Sequence, residues 1–428
     1  MTGKSKIHIV TLGCPKNQVD SEVLQAQLQS GSVEVVSDAD QADTIVINTC
    51  GFIQDAKQES IDAIVAAIEK KKHGEIKKVI VMGCMAERFK KELALELPEV
   101  DSFFGTRQMP EILTELGADY KRELLGERIL STPSHTAYLK ISEGCDNPCS
   151  FCAIPLMRGQ HRSTPIEELV HESRLLAAKG VKELVVIAQD STYYGLDLYG
   201  ERRLASLLGE LQAVDGIEWI RLMYAYPAKF PLDVLKAFQQ YPKLCRYIDM
   251  PVQHIADNVL KSMRRGITQR GTKELLWTIK KEIPDIALRT TLIVGYPNET
   301  EDDFKQLCEF VEEMKFHRLG VFTYSQEEGT GAYDLDDSIP VEVKQERQEI
   351  LMEIQKQISV ERNESFIEKT LNVLIDSNDG EQYVGRTEWD APEVDQEVLI
   401  HSERNLMPGQ FVSATVTDAA EYDLFADA

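Results

Sequence analysis

The chain has 428 residues, 43% of them hydrophobic, a formal net charge of −24 and an isoelectric point near 4.8. That length allows two to four domains with cores of their own, and the acidity excludes a surface that attracts nucleic acid all over. No apolar run reaches the roughly 18–20 residues of a membrane span, and eight cysteines are too sparse for a disulfide scaffold, which favours thiols kept reduced for ligation or catalysis. The first ten residues, MTGKSKIHIV, are basic but carry no long apolar stretch and no small-residue cleavage site. No signal peptide is expected, and a cytoplasmic location is.

The first hundred or so residues alternate short apolar runs with amphipathic stretches. IHIVTLGC, TIVINTCGF and KKVIVMGC read as buried strands, while DSEVLQAQLQS and FIQDAKQESIDAIVAAIEKKK have helical spacing. Strand–helix alternation predicts a doubly wound α/β domain over 5–110, with a connector over 111–136. A second alternating region, 137–365, has strands at AYLKISEG, ELVVIAQD, WIRLMYAY, YIDMPVQH, LRTTLIVG and LGVFTYS. Six βα units predict a barrel or partial barrel with reactive groups at the strands' C-terminal ends. From 366 to 428 short β-rich pieces separated by turn residues predict a small antiparallel β barrel, possibly of OB type.

Three cysteines fall within eight residues in ISEGCDNPCSFCAIP, where the first barrel strand ends. Structural zinc wants a fourth soft ligand and two paired arms. Three thiolates instead leave one iron of a 4Fe–4S cluster open to a substrate or cofactor. Both metals stay open on spacing alone, with iron–sulfur preferred. Cys14, Cys50 and Cys84 stand singly, and each could be a small core residue. Yet each follows an apolar strand, and a parallel sheet puts its C-terminal strand ends on one edge. Glycines beside them (Gly13, Gly51, Gly83) permit close approach. The expectation is a second, auxiliary cluster. Cys245 and Cys308 read as core thiols.

The stretch CDNPCSFC, with its C-x3-C-x2-C spacing and an aromatic before the last cysteine, resembles the signature of radical S-adenosylmethionine (SAM) enzymes. The resemblance implies that Cys145, Cys149 and Cys152 bind three irons and that the open iron holds SAM. SAM would then split to methionine and a 5′-deoxyadenosyl radical. The three-cysteine N-terminal domain, radical SAM partial (β/α)6 barrel and TRAM-type C-terminal barrel together resemble the methylthiotransferases over nearly the whole chain. Those enzymes use two 4Fe–4S clusters and two SAM molecules per turnover. One branch, the MiaB type, modifies an adenosine in transfer RNA. The other, the RimO type, modifies the β-carbon of an aspartate in protein twelve of the small ribosomal subunit. LGCPKNQVDSE, VGRTEWDAPEVD and EYDLFA are similar to the RimO type. A zinc-containing ribosome assembly factor without radical chemistry is the alternative from another class.

Charge votes the same way. From Phe366 onward, 14 acidic residues against 3 basic ones leave a net of −11. An RNA-binding barrel should show a basic groove with aromatic platforms. The opposite sign suits docking on a basic ribosomal protein, with no direct RNA binding through this domain. An electron donor such as a flavodoxin or ferredoxin is also implied, and a monomer is expected. Further candidates for cofactor binding are Phe151, Gln189, Arg221, Gln253 and Gly295. Gln189 and Gln253 end barrel strands, Arg221 lies within one, Phe151 sits between two cysteines, and Gly295 falls in LIVGYPNE, which resembles the segment lining the SAM adenine. His254 reads as a satisfied polar residue before a catalyst. Arg158 and Arg162 are candidates for contacts with SAM or a substrate carboxylate, against a solvated alternative, and an arginine of MRRGITQR for the target aspartate. No acid or base for the hydrogen step is assigned. No Ser–His–Asp grouping, phosphate loop or H-E-x-x-H motif is present.

Overall fold

The computed structural model describes residues 5–31, 33–378 and 380–428. The first four residues, part of the segment expected to carry no targeting signal, lie outside them.

Five parallel strands form the first sheet: β1 (Lys6–Thr11), β2 (Glu34–Val35), β3 (Thr44–Thr49), β4 (Lys78–Gly83) and β5 (Ser102–Phe104), in the order β2-β1-β3-β4-β5. All six residues of β3 are buried, as a central strand covered on both faces requires. Alternate residues serve opposite faces. Ile45, Ile47, Val79 and Val81 pack on α2 (Gln54–Lys72) and α3 (Cys84–Glu96). Val46, Ile80 and Met82 pack on α1 (Pro15–Gln29) and α4 (Met109–Glu115). Ile112 and Leu113 of α4 are fully buried there, so the start of the expected connector completes the first core.

The second sheet holds β6 (Thr136–Lys140), β9 (Glu183–Ile187), β10 (Trp219–Leu222), β11 (Leu244–Asp249), β12 (Ala287–Val294) and β13 (Arg318–Thr323). All pair in parallel in sequential order, and β13 does not return to β6. That is a partial barrel of six strands. Its convex face carries the largest core, under the helices. A two-residue antiparallel ribbon, β7 (Ser142–Glu143) with β8 (Arg162–Ser163), frames the cysteine loop. The short helix α5 (Ile154–Arg158) leaves that loop directly.

The C-terminal strands β14 (Thr370–Asn378), β15 (Tyr383–Arg386), β16 (Glu397–His401), β17 (Phe411–Ala419) and β18 (Asp423–Asp427) close a barrel in the order β14-β15-β16-β18-β17. It is not wholly antiparallel. With β17 already paired to β14, β18 inserts between β17 and β16 and runs parallel to β16. This barrel packs into the concave face of the second sheet through Leu374, Trp389, Ala391 and Phe411, against Tyr138, Val185, Trp219 and Tyr247. Among the described residues no helix is long and apolar enough to cross a membrane.

Candidate metal centres and the junction between them

The first three cysteines meet at one edge of the first sheet. Cys14 is the N-cap of α1, Cys50 follows β3, and Cys84 opens α3 straight from β4. Two glycines make this possible. Gly13 has φ +88°, and a Cβ on it would lie 2.7 Å from Cys50 Cβ. Gly83 has φ +101°, and a Cβ there would lie 2.4 Å from Asn48 Oδ1. Any side chain would push the strand ends apart. Gly51 in turn touches the backbone at Cys84 and Met85. The sulfurs are close enough for Cys14 and Cys50 to affect the ionisation of Cys84. Two helix N-termini thus open at this trio, favourable to a ligand set that becomes anionic.

The second trio sits on the loop after β6 and β7. Asp146 Oδ1 accepts from the His161 backbone N–H at 2.9 Å, Asn147 Nδ2 donates to Asp190 Oδ2 at 2.8 Å, and Ser150 Oγ donates to Ser262 O at 2.7 Å. These bonds hold the loop across the strand ends. Cys145 and Cys149 both act on the ionisation of Cys152. Burial pushes the Cys84 and Cys152 thiols up to about 12 and Cys145 to about 11, so they keep their protons at neutral pH until a metal displaces them.

The two trios face one junction. Cys84 packs against Ala153, Ile154 and Met157, all within five residues of Cys152. Arg158, only 2% exposed, donates from Nε to Cys84 Sγ at 3.2 Å. Its other nitrogens reach Asn17 Oδ1, Asp20 at 2.7 Å and Glu143 at 3.0 Å. Lys140 shares both carboxylates, and Gln189 Nε2 donates to Glu143 Oε1 at 2.9 Å. Burial works against the Glu143 carboxylate, but Lys140 and Arg158 outweigh it and hold its pKa at about 2. The second trio has an arginine too: Arg265 donates to Cys149 Sγ at 3.4 Å and lies over the Tyr226 ring.

Of the other candidates, Gln189 and Gln253 do end at the mouth, each with a buried, unpartnered side-chain oxygen. Gln253 has φ +72°, a strained value for a non-glycine residue. Arg221 is not at the mouth. It is fully buried, and binds Glu183 Oε1 at 2.7 Å and the carbonyl of Glu388 at 2.7 Å, because its side of β10 faces the C-terminal barrel. Gly295 has φ +69°, but the chain that comes close is the Lys344 stem. Phe151 packs with Ala256, Met263, Tyr296 and Tyr324. His254 is buried beside Glu299, with Nδ1 accepting from the Ala256 backbone. Arg162 is exposed, and so is Arg264, while Arg270 pairs with Glu274 in solvent. Asn17, Asp20, Lys140 and Glu143 carry no signal in the sequence beyond their nearness to cysteines.

Among the described residues, no group of three or more His, Cys, Asp or Glu is arranged to hold a single metal ion. A four-iron cluster needs a wider ligand set, since each thiolate binds a different iron. Six thiols in two facing sets, each with an arginine donor on one sulfur, fit two such clusters better than zinc.

Three families match in succession: "Uncharacterized protein family UPF0004" over residues 6–105, the radical SAM superfamily over 139–311 and the TRAM domain over 367–428. A "Ribosomal protein uS12 methylthiotransferase RimO" of Christiangramia forsetii is 55% identical over 99% of this chain and 94% of its own. Its counterpart in Flavobacterium johnsoniae is 54% identical over 99% of this chain and 98% of its own. The solved radical SAM methyltransferase TsrM of Kitasatospora setae shares the fold with a TM-score of 0.56 at 14% identity, covering 77% of each chain.

Proposed function

The chain belongs to the RimO family of ribosomal protein uS12 methylthiotransferases, and we infer that it is itself a radical SAM enzyme that adds a methylthio group to the β-carbon of an aspartate in that protein. The observation that carries the reading is the junction. Two cysteine trios from different domains face each other, and Arg158, leaving the second trio, binds a sulfur of the first. Cys14, Cys50 and Cys84 would hold the auxiliary 4Fe–4S cluster, and Cys145, Cys149 and Cys152 the SAM-binding one. When bound, these groups supply the methyl, the sulfur carrier and the radical that opens the substrate carbon.

The protein's own part is orientation. Gly13 and Gly83 bring three strand ends together. Asp146, Asn147 and Ser150 fix the loop that presents the second trio. Arg158 and Lys140, anchored on Asp20 and Glu143, lock α1 of the first domain to the barrel mouth. The relative placement of the trios is therefore set by buried, charge-assisted bonds and not by a flexible linker. Gln189 and Gln253 offer unpaired oxygens at the same opening, suited to a bound SAM molecule or the substrate backbone.

The C-terminal barrel would hold the basic substrate protein. Of its 3 basic residues, Arg386 is bound by Glu183 of the second sheet and by Asp376, and although Asp390 and Asp395 are also taken by Arg318 and Arg289, the remaining surface stays strongly acidic. This argues against direct RNA binding through the domain. A small electron carrier of flavodoxin or ferredoxin type would supply electrons, and the enzyme would work as a cytoplasmic monomer. The test is a two-substrate assay without oxygen. The reconstituted enzyme should add about 46 mass units, the difference between SCH3 and H, to uS12 and none to transfer RNA. Modification of RNA alone would assign the chain to the other branch.

A further inference from the structure

Beside the first trio, among the described residues, stands a lysine with no carboxylate partner. Lys16 is 6% exposed, and among the described residues its ammonium makes neither an ion pair nor a hydrogen bond. Its one polar contact is the Tyr224 ring, whose centroid is 3.1 Å from Nζ. The placement is unfavourable twice over. A largely buried lysine without an ion pair is unfavourable. Lys16 is also the second residue of α1, where the helix dipole disfavours positive charge and no acidic residue offsets it.

Three of the carboxylates around it are held by other groups. Asp20 and Glu143 are held by Lys140 and Arg158, and Asp249 is held by Arg289 and the Tyr224 N–H. The ring under Lys16 is itself fixed. Tyr224 follows β10 at φ +61°, its N–H bound to Asp249 and its carbonyl accepting from the Ser191 N–H at 3.0 Å. A non-glycine residue in that conformation costs energy and is typical of ligand sites.

We propose that Lys16 is the specificity residue for the substrate's acidic side chain: its ammonium, seated on Tyr224, pairs with the carboxylate of the target aspartate. The assignment rests on the reading above, that an aspartate of a protein is modified. The reacting carbon is bonded directly to that carboxylate, so the charge must enter a mouth already lined by Asp20, Glu143, Asp190 and Asp249. It needs a cation there, and Lys16, two residues from Cys14, pairs with none of these carboxylates among the described residues. Lys16 would choose the side chain and bring its β-carbon beside the first trio.

The test is binding without turnover, on the cluster-loaded enzyme without reductant. Labelled uS12 peptides with aspartate or asparagine at the target position are titrated by fluorescence anisotropy. The wild-type enzyme should prefer aspartate by about thirtyfold. Lys16→Met should abolish that preference at unchanged iron content and unchanged SAM affinity, while Lys16→Arg should keep most of it. If Lys16→Met still prefers aspartate, or if it loses SAM affinity with the preference intact, the assignment falls. If Lys16→Arg loses the preference as fully as Lys16→Met, charge is not what selects, and the assignment falls as well. If the wild-type enzyme, once reduced, leaves the aspartyl peptide at its original mass, the family reading itself fails and takes the assignment with it.

Discussion

Each cysteine trio has one sulfur that accepts from an arginine, Cys84 from Arg158 and Cys149 from Arg265. Hydrogen bonds to cluster sulfurs raise reduction potential. Replacing Arg158 with Gln should therefore lower the potential of the first-trio cluster in a titration followed by electron paramagnetic resonance, and an unmoved potential would show that the contact is only structural. The same variant leaves the buried carboxylates Asp20 and Glu143 short of a cation. Thermal unfolding should show a loss of about 3–5 kcal/mol, whereas an unchanged melting temperature would mean that Lys140 alone neutralises the pair. The cysteines were legible because their signal is local, either a tight spacing or a position after an apolar run. Asn17, Asp20 and Lys16 were not. Asn17 meets Arg158 across 141 positions of chain and Asp20 meets it across 138, and Lys16 meets Tyr224 from another domain. No periodicity encodes such pairs.

At the scale of elements, the six barrel strands were readable because each is a buried run between helices. The shortest pieces were not: β2, β5 and α4 are too brief to show a period, yet α4 closes the first core. The assignment of Arg221 failed for a related reason. Alternation along β10 correctly turns Trp219, Arg221 and Met223 to the concave face, but it cannot say that the C-terminal barrel covers that face. There Glu183, completely buried, holds Arg221 and Arg386 together. Burial disfavours its charge, but the two guanidiniums prevail and hold its pKa at about 2, below an ordinary value of 4.5. A carboxylate lowered in the folded state stabilises it above about pH 4.5, and that contribution is lost as pH falls towards 2. Docking of the C-terminal barrel should loosen over this window, seen as hydrogen exchange at Thr387 and Glu388. Glu183→Gln should show the loosening already at neutral pH, and a variant as protected as the parent would contradict the role given to this carboxylate.

Across the whole molecule, the charge of −24 is unevenly used. Lys140, Arg158, Arg221 and Arg386 are buried at the junctions in ion pairs, and the C-terminal barrel faces outward with nearly unopposed acid. Affinity for uS12 should therefore fall as salt rises from low to physiological strength, and a salt-independent affinity would remove the docking role of that surface. The account as a whole depends on two iron clusters held by two separate trios that meet at one junction. Iron counting after anaerobic reconstitution tests this most directly, on the parent chain and on two variants, one with Cys14, Cys50 and Cys84 replaced by alanine and one with Cys145, Cys149 and Cys152 replaced. About eight irons in the parent and about four in each variant are expected. About four in the parent, or no loss when the first trio is removed, would contradict it.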